Sequence, residues 1–288
     1  MRFFFLVFCF FSCFLFCDSG IEKKYISVCS IFKDEAKFLK EWIEYHLLVG
    51  VDHFYLYNNN SVDSYFNVLS PYLEKELVTI IYWPDCLSEN ERDPHWALST
   101  QLSAYEHAIY TFKNSTKWMV FLDVNEFLVP ANKTVRDVLR NFDQFPGVIL
   151  KEECFDASRI DILPVRKLLV ETLELTAPVQ SYKNKEKMIF KPELCEGSSW
   201  MPYRCNFQKN QPPGFVSHSE LRINQYQNRY RGALNREKRK EKLSMDIREI
   251  SYEAAIELMK QGYEFEDREQ AIYKFIPRLL ENMEIKNE

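Results

Sequence analysis

The sequence predicts an α/β protein: a mostly parallel sheet flanked by helices, with a less regular C-terminal half. Two observations carry this. Up to about residue 130, runs rich in β-branched and aromatic residues alternate with segments whose apolar residues recur at helical spacing, and such alternation marks a parallel sheet with helices on its faces. Three of those runs also end in polar clusters, Lys33-Asp34-Glu35, Asn58 to Ser61 and Asp123 to Glu126. Ligands of open α/β sheets bind beyond the carboxyl ends of the strands.

The elements follow in order. Tyr25–Phe32, YISVCSIF, alternates and is rich in β-formers, so it reads as a strand. Ala36 to Val49 places Phe38, Leu39, Trp42, Ile43, Tyr45 and Leu47 at helical spacing, and Gly50 supplies the stop. Val51–Tyr57 is a second strand, Ser64 to Leu73 a helix interrupted near Pro71, and Leu77–Trp83 a third strand. Trp96 to Phe112 is helical and Trp118–Leu122, which runs straight into Asp123, is a fourth strand. Beyond it, Thr134 to Phe142 reads as a short helix, Gly147–Lys151 as a strand, and Pro178 to Pro213 as loop or short hairpins. Helices are expected over Ser251–Gln261 and Arg268–Met283, the latter bent at Pro277. No repeat or low-complexity linker divides residues 21–288, so one domain is expected there.

Composition excludes several classes. With 7 glycines and neither GxGxxG nor GxxxxGK[ST], no Gly-rich phosphate loop is present. A net charge of -5 argues against nucleic acid as a partner. No HExxH, GxSxG or CxxC occurs. The N-terminus, MRFFFLVFCFFSCFLFCDSG, carries an apolar run from Phe3 to Cys17 that suits a signal-peptide core and is short for a membrane span of about 20 residues. Residues 1–20 are therefore read as a cleaved signal peptide or a short membrane anchor, which puts the protein on the secretory route. Beyond them Cys29, Cys86, Cys154, Cys195 and Cys205 remain. They are buried small hydrophobes, or one or two disulfides form among them, Cys195 with Cys205 for instance.

Two clusters suggest chemistry. Asp123, Asn125 and Glu126 at a strand end resemble an acid-x-acid pair that holds a divalent cation, which takes hard oxygen ligands. Asn125 brings an amide oxygen without charge, and a plain polar turn is the simpler reading of the same residues. The basic stretch from Arg222 to Lys242 includes Arg229 and Arg231 beside Tyr226 and Tyr230, and arginine binds phosphate bidentately. Its alternative is a solvated helical face.

VCSIFKDEAKFLKEWIEYHLLVGVDHFYLYNNNSVD, followed by WMVFLDVNEFLVP, is similar to the family-92 glycosyltransferases. Cys29, Lys33, Asp34, Glu35, Ala36, Leu39, Glu41, Trp42, Tyr45, His46, Gly50 and Val51 satisfy the family's opening pattern. Phe121, Asp123, Glu126 and Phe127 satisfy its central strand, where Asn125 departs from the usual aspartate. The resemblance implies a GT-A-like fold, with a nucleotide-sugar half over about 25–130 and an acceptor half over about 131–288. It implies a UDP-hexose donor, a glycan or glycoconjugate acceptor, an inverting reaction and a Mn²⁺ or Mg²⁺ cofactor. Asp34, Glu35, Asn58, Asn59 and Asp63 would bind the donor with Arg229 and Arg231. Asp123, Asn125 and Gln225, the last in place of a usual histidine, would hold the metal. Glu126 would stand near the reacting centre or brace the loop; it is the first candidate for the general base, before Glu153 and Asp156. The two amides also leave room for a catalytically inactive carbohydrate- or nucleotide-binding protein on the same scaffold.

Overall fold

The computed structural model describes residues 23–84, 94–156, 168, 185–198, 203–227, 278 and 281–283. The segment 1–20, Cys86, Arg229, Arg231, the helix expected over Ser251–Gln261 and most of that expected over Arg268–Met283 lie outside them. No helix among the described residues is long and apolar enough to cross a membrane.

The first half alternates as expected: β1 (Lys24–Phe32), α1 (Ala36–Leu48), β2 (His53–Asn58), α2 (Tyr65–Glu74), β3 (Val78–Tyr82), α3 (Pro94–Phe112) and β4 (Thr116–Phe121). β5 (Glu126–Pro130), α4 (Val135–Arg140), β6 (Gly147–Asp156), β7 (Glu186–Phe190), the hairpin β8 (Cys195–Ser198) and β9 (Cys205–Phe207), β10 (Gly214–Phe215) and β11 (Leu221–Gln227) follow. The main sheet runs β3-β2-β1-β4-β7-β6-β11-β5, with β10 beside β6. β1 is parallel to both β2 and β4, and β2 to β3; β7 and β5 are the antiparallel members. The α/β class and the mostly parallel sheet are thus as the sequence predicts, and the order 3-2-1-4 is half of a doubly wound nucleotide-binding sheet.

Three local rules place the helices. Gly50, at φ +99, ends α1: the Val51 and Gly50 amides return to the carbonyls of His46 and Leu47 at 2.9 and 3.1 Å, a left-handed helix stop that glycine makes without a Cβ penalty. Thr134 caps α4 with Asp137 closing the reciprocal bond. α2 continues through Pro71, expected to interrupt it, to Glu74. Leu69 and Tyr72 on either side of the proline are buried, and that packing outweighs one missing backbone bond. One sheet face packs on α1, α2 and α4, with Trp42, Tyr45, Leu69 and Leu139 among its buried residues. The other packs on α3 and the β8–β9 hairpin, through Tyr105, Ile109 and Phe207.

β5 was not expected as a strand, and its place determines the shape of the molecule. Residues 122–125 alone separate β4 from β5, yet β5 closes the far end of the strand order. The sheet must therefore curl until β5, paired antiparallel with β11, returns beside the end of β4. β5 is then an edge strand with unpaired backbone groups, and α1 supplies their partners. Trp42 Nε1–H donates to the Glu126 carbonyl at 2.8 Å, Tyr45 O–H to the Leu128 carbonyl at 3.0 Å, and the Leu128 amide donates to His46 Nε2 at 3.2 Å. His46 Nδ1–H in turn donates to the Trp42 carbonyl at 2.7 Å. Burial pushes His46 down to about 3, so it serves as a neutral donor and acceptor. The E-W-x-x-Y-H stretch of the helix is thus a set of polar tips on apolar bodies. Trp42→Phe keeps the ring and removes one donor, leaving the Glu126 carbonyl buried and unpaired. We expect a loss of about 1–3 kcal/mol in urea denaturation; an unchanged midpoint would show that the tie carries no stability.

Candidate active site

Because β2, β1 and β4 lie side by side and parallel, the clusters after them emerge at one edge of the sheet. The first two interlock. Asp34, at φ 56, accepts the amides of Val62 and Asp63 on Oδ1 at 2.7 and 3.3 Å, and its own amide donates to Ser61 Oγ at 3.0 Å. Asp63 answers: Oδ2 accepts the Ala36 amide at 2.7 Å and Oδ1 the Tyr65 amide at 3.2 Å. It thereby caps α1, because the Glu35 side chain does not. Asn58 Oδ1 accepts the Ser61 amide and Asn59 Nδ2 donates to the Trp83 carbonyl, both at 2.9 Å. Asp34, Glu35, Asn58, Asn59 and Asp63 are therefore brought together as expected, and several of their polar atoms fix the backbone of the loops they lie on.

The third cluster divides into an open and a closed part. Asp123 is half-buried. Gln101 Nε2, from α3, donates to its Oδ1 and Tyr203 O–H to its Oδ2, each at 3.3 Å. Both contacts are long for hydrogen bonds to a carboxylate, which shorten to about 2.7–2.9 Å when charge-assisted. Asp123 thus keeps capacity for a further ligand. Tyr203 stands just before β9, and the Cys195–Cys205 disulfide ties β8 to β9.

Glu126 is fully buried. Its Oε2 accepts the Asp123 amide at 2.8 Å and the Lys187 ammonium, and Oε1 accepts Gln225 Nε2 at 3.1 Å. Lys187 is equally enclosed, its ammonium 3.6 Å from the centre of the Tyr203 ring. Burial pushes the Glu126 carboxyl up, opposed by the Lys187 ammonium and reinforced by Asp123 and Glu152. A general base must reach the proton it takes. With its oxygens turned inward, Glu126 braces the 123–126 turn instead of facing a substrate, which corrects its place as first candidate for the base.

The two amides expected as metal ligands also make internal bonds. Asn125 Nδ2 donates to the Tyr226 carbonyl at 3.2 Å while the Tyr226 amide donates to the Asn125 carbonyl at 2.8 Å. An aspartate at 125 would set a carboxylate against that carbonyl. Gln225 Nε2 is on Glu126, opposite which it sits in the β5–β11 register. Among the described residues no group of three or more His, Cys, Asp or Glu side chains could hold a metal ion.

Of the other acids, Glu153 pairs with His218 Nε2 at 3.0 Å and the buried Arg222 Nε at 3.1 Å. As a base candidate it is already engaged by an imidazole and a buried guanidinium. Asp156 ends β6 opposite Gln227; its side chain lies outside the described residues. The sequence reading missed Glu152, which is 8% exposed and whose Oε1 has no hydrogen-bond partner. The signal was available. Val148 and Leu150 are both buried in the core shared with α1, and side chains alternate along a strand, so Glu152 continues their face once β6 is carried past Lys151. Lys187, Gln101 and Tyr203 had no comparable signal, because each approaches from a distant element.

The sequence model of a family described as glycosyltransferase family 92 matches residues 23–267. A glycosyltransferase family 92 protein of Oryza sativa subsp. japonica is 34% identical over 123 residues, which are 42% of this chain and 19% of that protein. The galactan beta-1,4-galactosyltransferase GALS3 of Arabidopsis thaliana is 29% identical over 118 residues, 40% of this chain and 22% of that one. The chain thus spans about a fifth of the length of these two relatives. Among solved structures, S. aureus TarS 1-349 in complex with UDP aligns with a TM-score of 0.41 and 12% identity over 89% of this chain and 72% of that one.

Proposed function

The chain belongs to glycosyltransferase family 92, and from that premise we propose that it is a GT-A-type transferase moving a hexose from a nucleotide-sugar donor, a UDP-hexose, to a hydroxyl of a glycan or glycoconjugate with inversion. The observation that supports this most is the meeting of three strand ends at one sheet edge, with Asp123 as the carboxylate left with capacity there. Similarity to a galactan beta-1,4-galactosyltransferase makes UDP-galactose the first donor to try.

In this reading the interlocked loops 33–36 and 58–63 receive the nucleoside, their backbone already fixed by Asp34 and Asp63, so little ordering is needed on binding. Arg229 and Arg231, outside the described residues, are the side chains assigned to the phosphates in this reading. Asp123 would hold a divalent cation, Mn²⁺ or Mg²⁺, assisted by the amide oxygens of Asn125 and Gln225. Hard oxygens of this kind suit such an ion, and Mg²⁺ commonly takes one or two carboxylates from the protein and the remaining oxygens from phosphate and water. When bound, the cation would stabilise the charge gained by the leaving diphosphate. Residues 131–288 carry the acceptor side.

The same amides support a second reading, a binding protein without turnover on this scaffold, since their side-chain nitrogens serve internal bonds. Calorimetric titration with UDP, with and without Mn²⁺, separates the two. The transferase reading expects binding at least tenfold tighter with Mn²⁺, together with transfer or slow hydrolysis of a UDP-hexose followed by product mass. Metal-indifferent binding without turnover would establish the second. For location we propose the secretory route, secreted or membrane-anchored through residues 1–20, with the Cys195–Cys205 disulfide in support, because such bonds persist in oxidising compartments.

A further inference from the structure

A cation that bridges protein and diphosphate takes up to two carboxylates from the protein, and position 125 offers an amide whose nitrogen is held by the Tyr226 carbonyl. We propose that Glu152 supplies the second carboxylate of the divalent-cation site, opposite Asp123. This rests on the transferase reading above and adds to it a ligand outside the 123–126 turn.

Three observations meet on Glu152. It is buried, and Oε1 has no partner among the described residues; a buried polar group without a partner is costly and in native structures calls for an explanation such as an ion. Its strand brings it to the right end of the sheet. Leu150 pairs with Lys187, the Glu152 amide donates to the Lys185 carbonyl at 3.0 Å, and Glu152 stands opposite Ile223. Glu152 therefore lies one step beyond the Lys187–Glu126 pair, inside the curl that returns β5 to the end of β4. Lastly, one set of contacts links this strand to Asp123. Lys187, paired with Leu150 two residues before Glu152, is held by Glu126 and lies against the Tyr203 ring, and Glu126 accepts the Asp123 amide while Tyr203 O–H donates to the Asp123 carboxylate. Glu126 is fully engaged, so the carboxylate left to receive a cation with Asp123 is Glu152.

The test is calorimetric titration of the full chain with UDP in the presence and absence of Mn²⁺, with free Mn²⁺ followed by electron paramagnetic resonance. Glu152→Gln keeps the shape and removes the charge. It should weaken Mn²⁺-dependent UDP binding by about 10–100-fold and leave metal-free UDP binding unchanged. The metal-free variant should also melt no lower than the parent, because the change neutralises an orphaned carboxyl. A purely structural glutamate would show the reverse, a lower melting temperature with intact Mn²⁺ dependence, and that result overturns the proposal. Should Glu152→Gln fail to fold, Glu152→Asp decides: a folded protein with weakened Mn²⁺-dependent binding supports the proposal and parental binding overturns it. If the parent already binds UDP without regard to Mn²⁺, the metal part of the transferase reading falls together with this one; if the parent depends on Mn²⁺ and Glu152→Gln keeps that dependence in full, Glu152 alone is refuted.

Discussion

Asp123→Ala is expected to lower hexose transfer at least a hundredfold while the protein remains folded. The two halves of that expectation have separate causes. Asp123 is the carboxylate at the meeting of the three loops that retains capacity for a ligand, so its loss removes the anchor of the leaving diphosphate. Each tenfold in rate corresponds to about 1.4 kcal/mol of transition-state stabilisation, and a hundredfold is a modest demand on one charged anchor. In the folded protein, by contrast, the carboxylate makes only two 3.3 Å contacts, with Gln101 and Tyr203. Bonds of that quality contribute about 1 kcal/mol or less. Product mass with UDP-galactose, alongside a thermal melt, measures both halves. Parental turnover by the variant would remove Asp123 from the reaction, and a collapse in melting temperature would make it a structural residue.

Lys187→Met is expected to produce the largest loss of stability of any single change in the site. Lys187 and Glu126 form an ion pair with side chains 3% and 1% exposed. Removing one member of such a pair leaves the other charge buried without compensation, at a cost of about 3–5 kcal/mol. For a chain of this size that corresponds to a drop in melting temperature of roughly ten degrees. The same principle predicts recovery: Glu126→Gln added to Lys187→Met removes the stranded charge, and the amide oxygen still accepts from the Asp123 backbone. The double variant should regain most of the loss in urea denaturation. Equal destabilisation of single and double variants would show that Lys187 acts by packing on Tyr203 and not by charge.

Much of the frame was legible in the sequence because its signals are local. Strand–helix alternation foretold β1 to β4 and their helices, and polar residues after Phe32, Tyr57 and Leu122 foretold where three loops would meet. The rest depended on long-range pairing. The apolar residues after Glu126 look like a continuation of a turn; that they form an edge strand follows from β11, whose paired residues lie 91 (Leu221 with Pro130) to 99 (Gln225 with Glu126) positions further along the chain. The strand expected over Gly147–Lys151 stops where Glu152 and Glu153 end the apolar run, whereas β6 continues to Asp156. One is buried and the other joins His218 and Arg222. Arg222 itself, placed by composition in a basic surface stretch, is buried on β11. For Asn125 and Gln225 the resemblance implies a ligand role, whereas their amide nitrogens bond to the Tyr226 carbonyl and to Glu126 and tie the 123–126 turn to β11.

The curl that joins β4, β5 and β11 also bears on how the molecule comes into being. A nascent chain holds both neighbours of β1, β2 and β4, once residue 121 has been synthesised, although β1 and β4 pair across 92 residues of sequence, Lys24 with Thr116. Its Asp123 turn then lacks the bonds that Asn125 makes to Tyr226 and Glu126 to Gln225 until residues 225 and 226 have been synthesised, and closing so long a loop is slow compared with forming local structure. The edge that carries Asp123 is thus the last part of the described fold to be completed, and a product released before β11 would hold a nearly finished sheet around an unsupported turn.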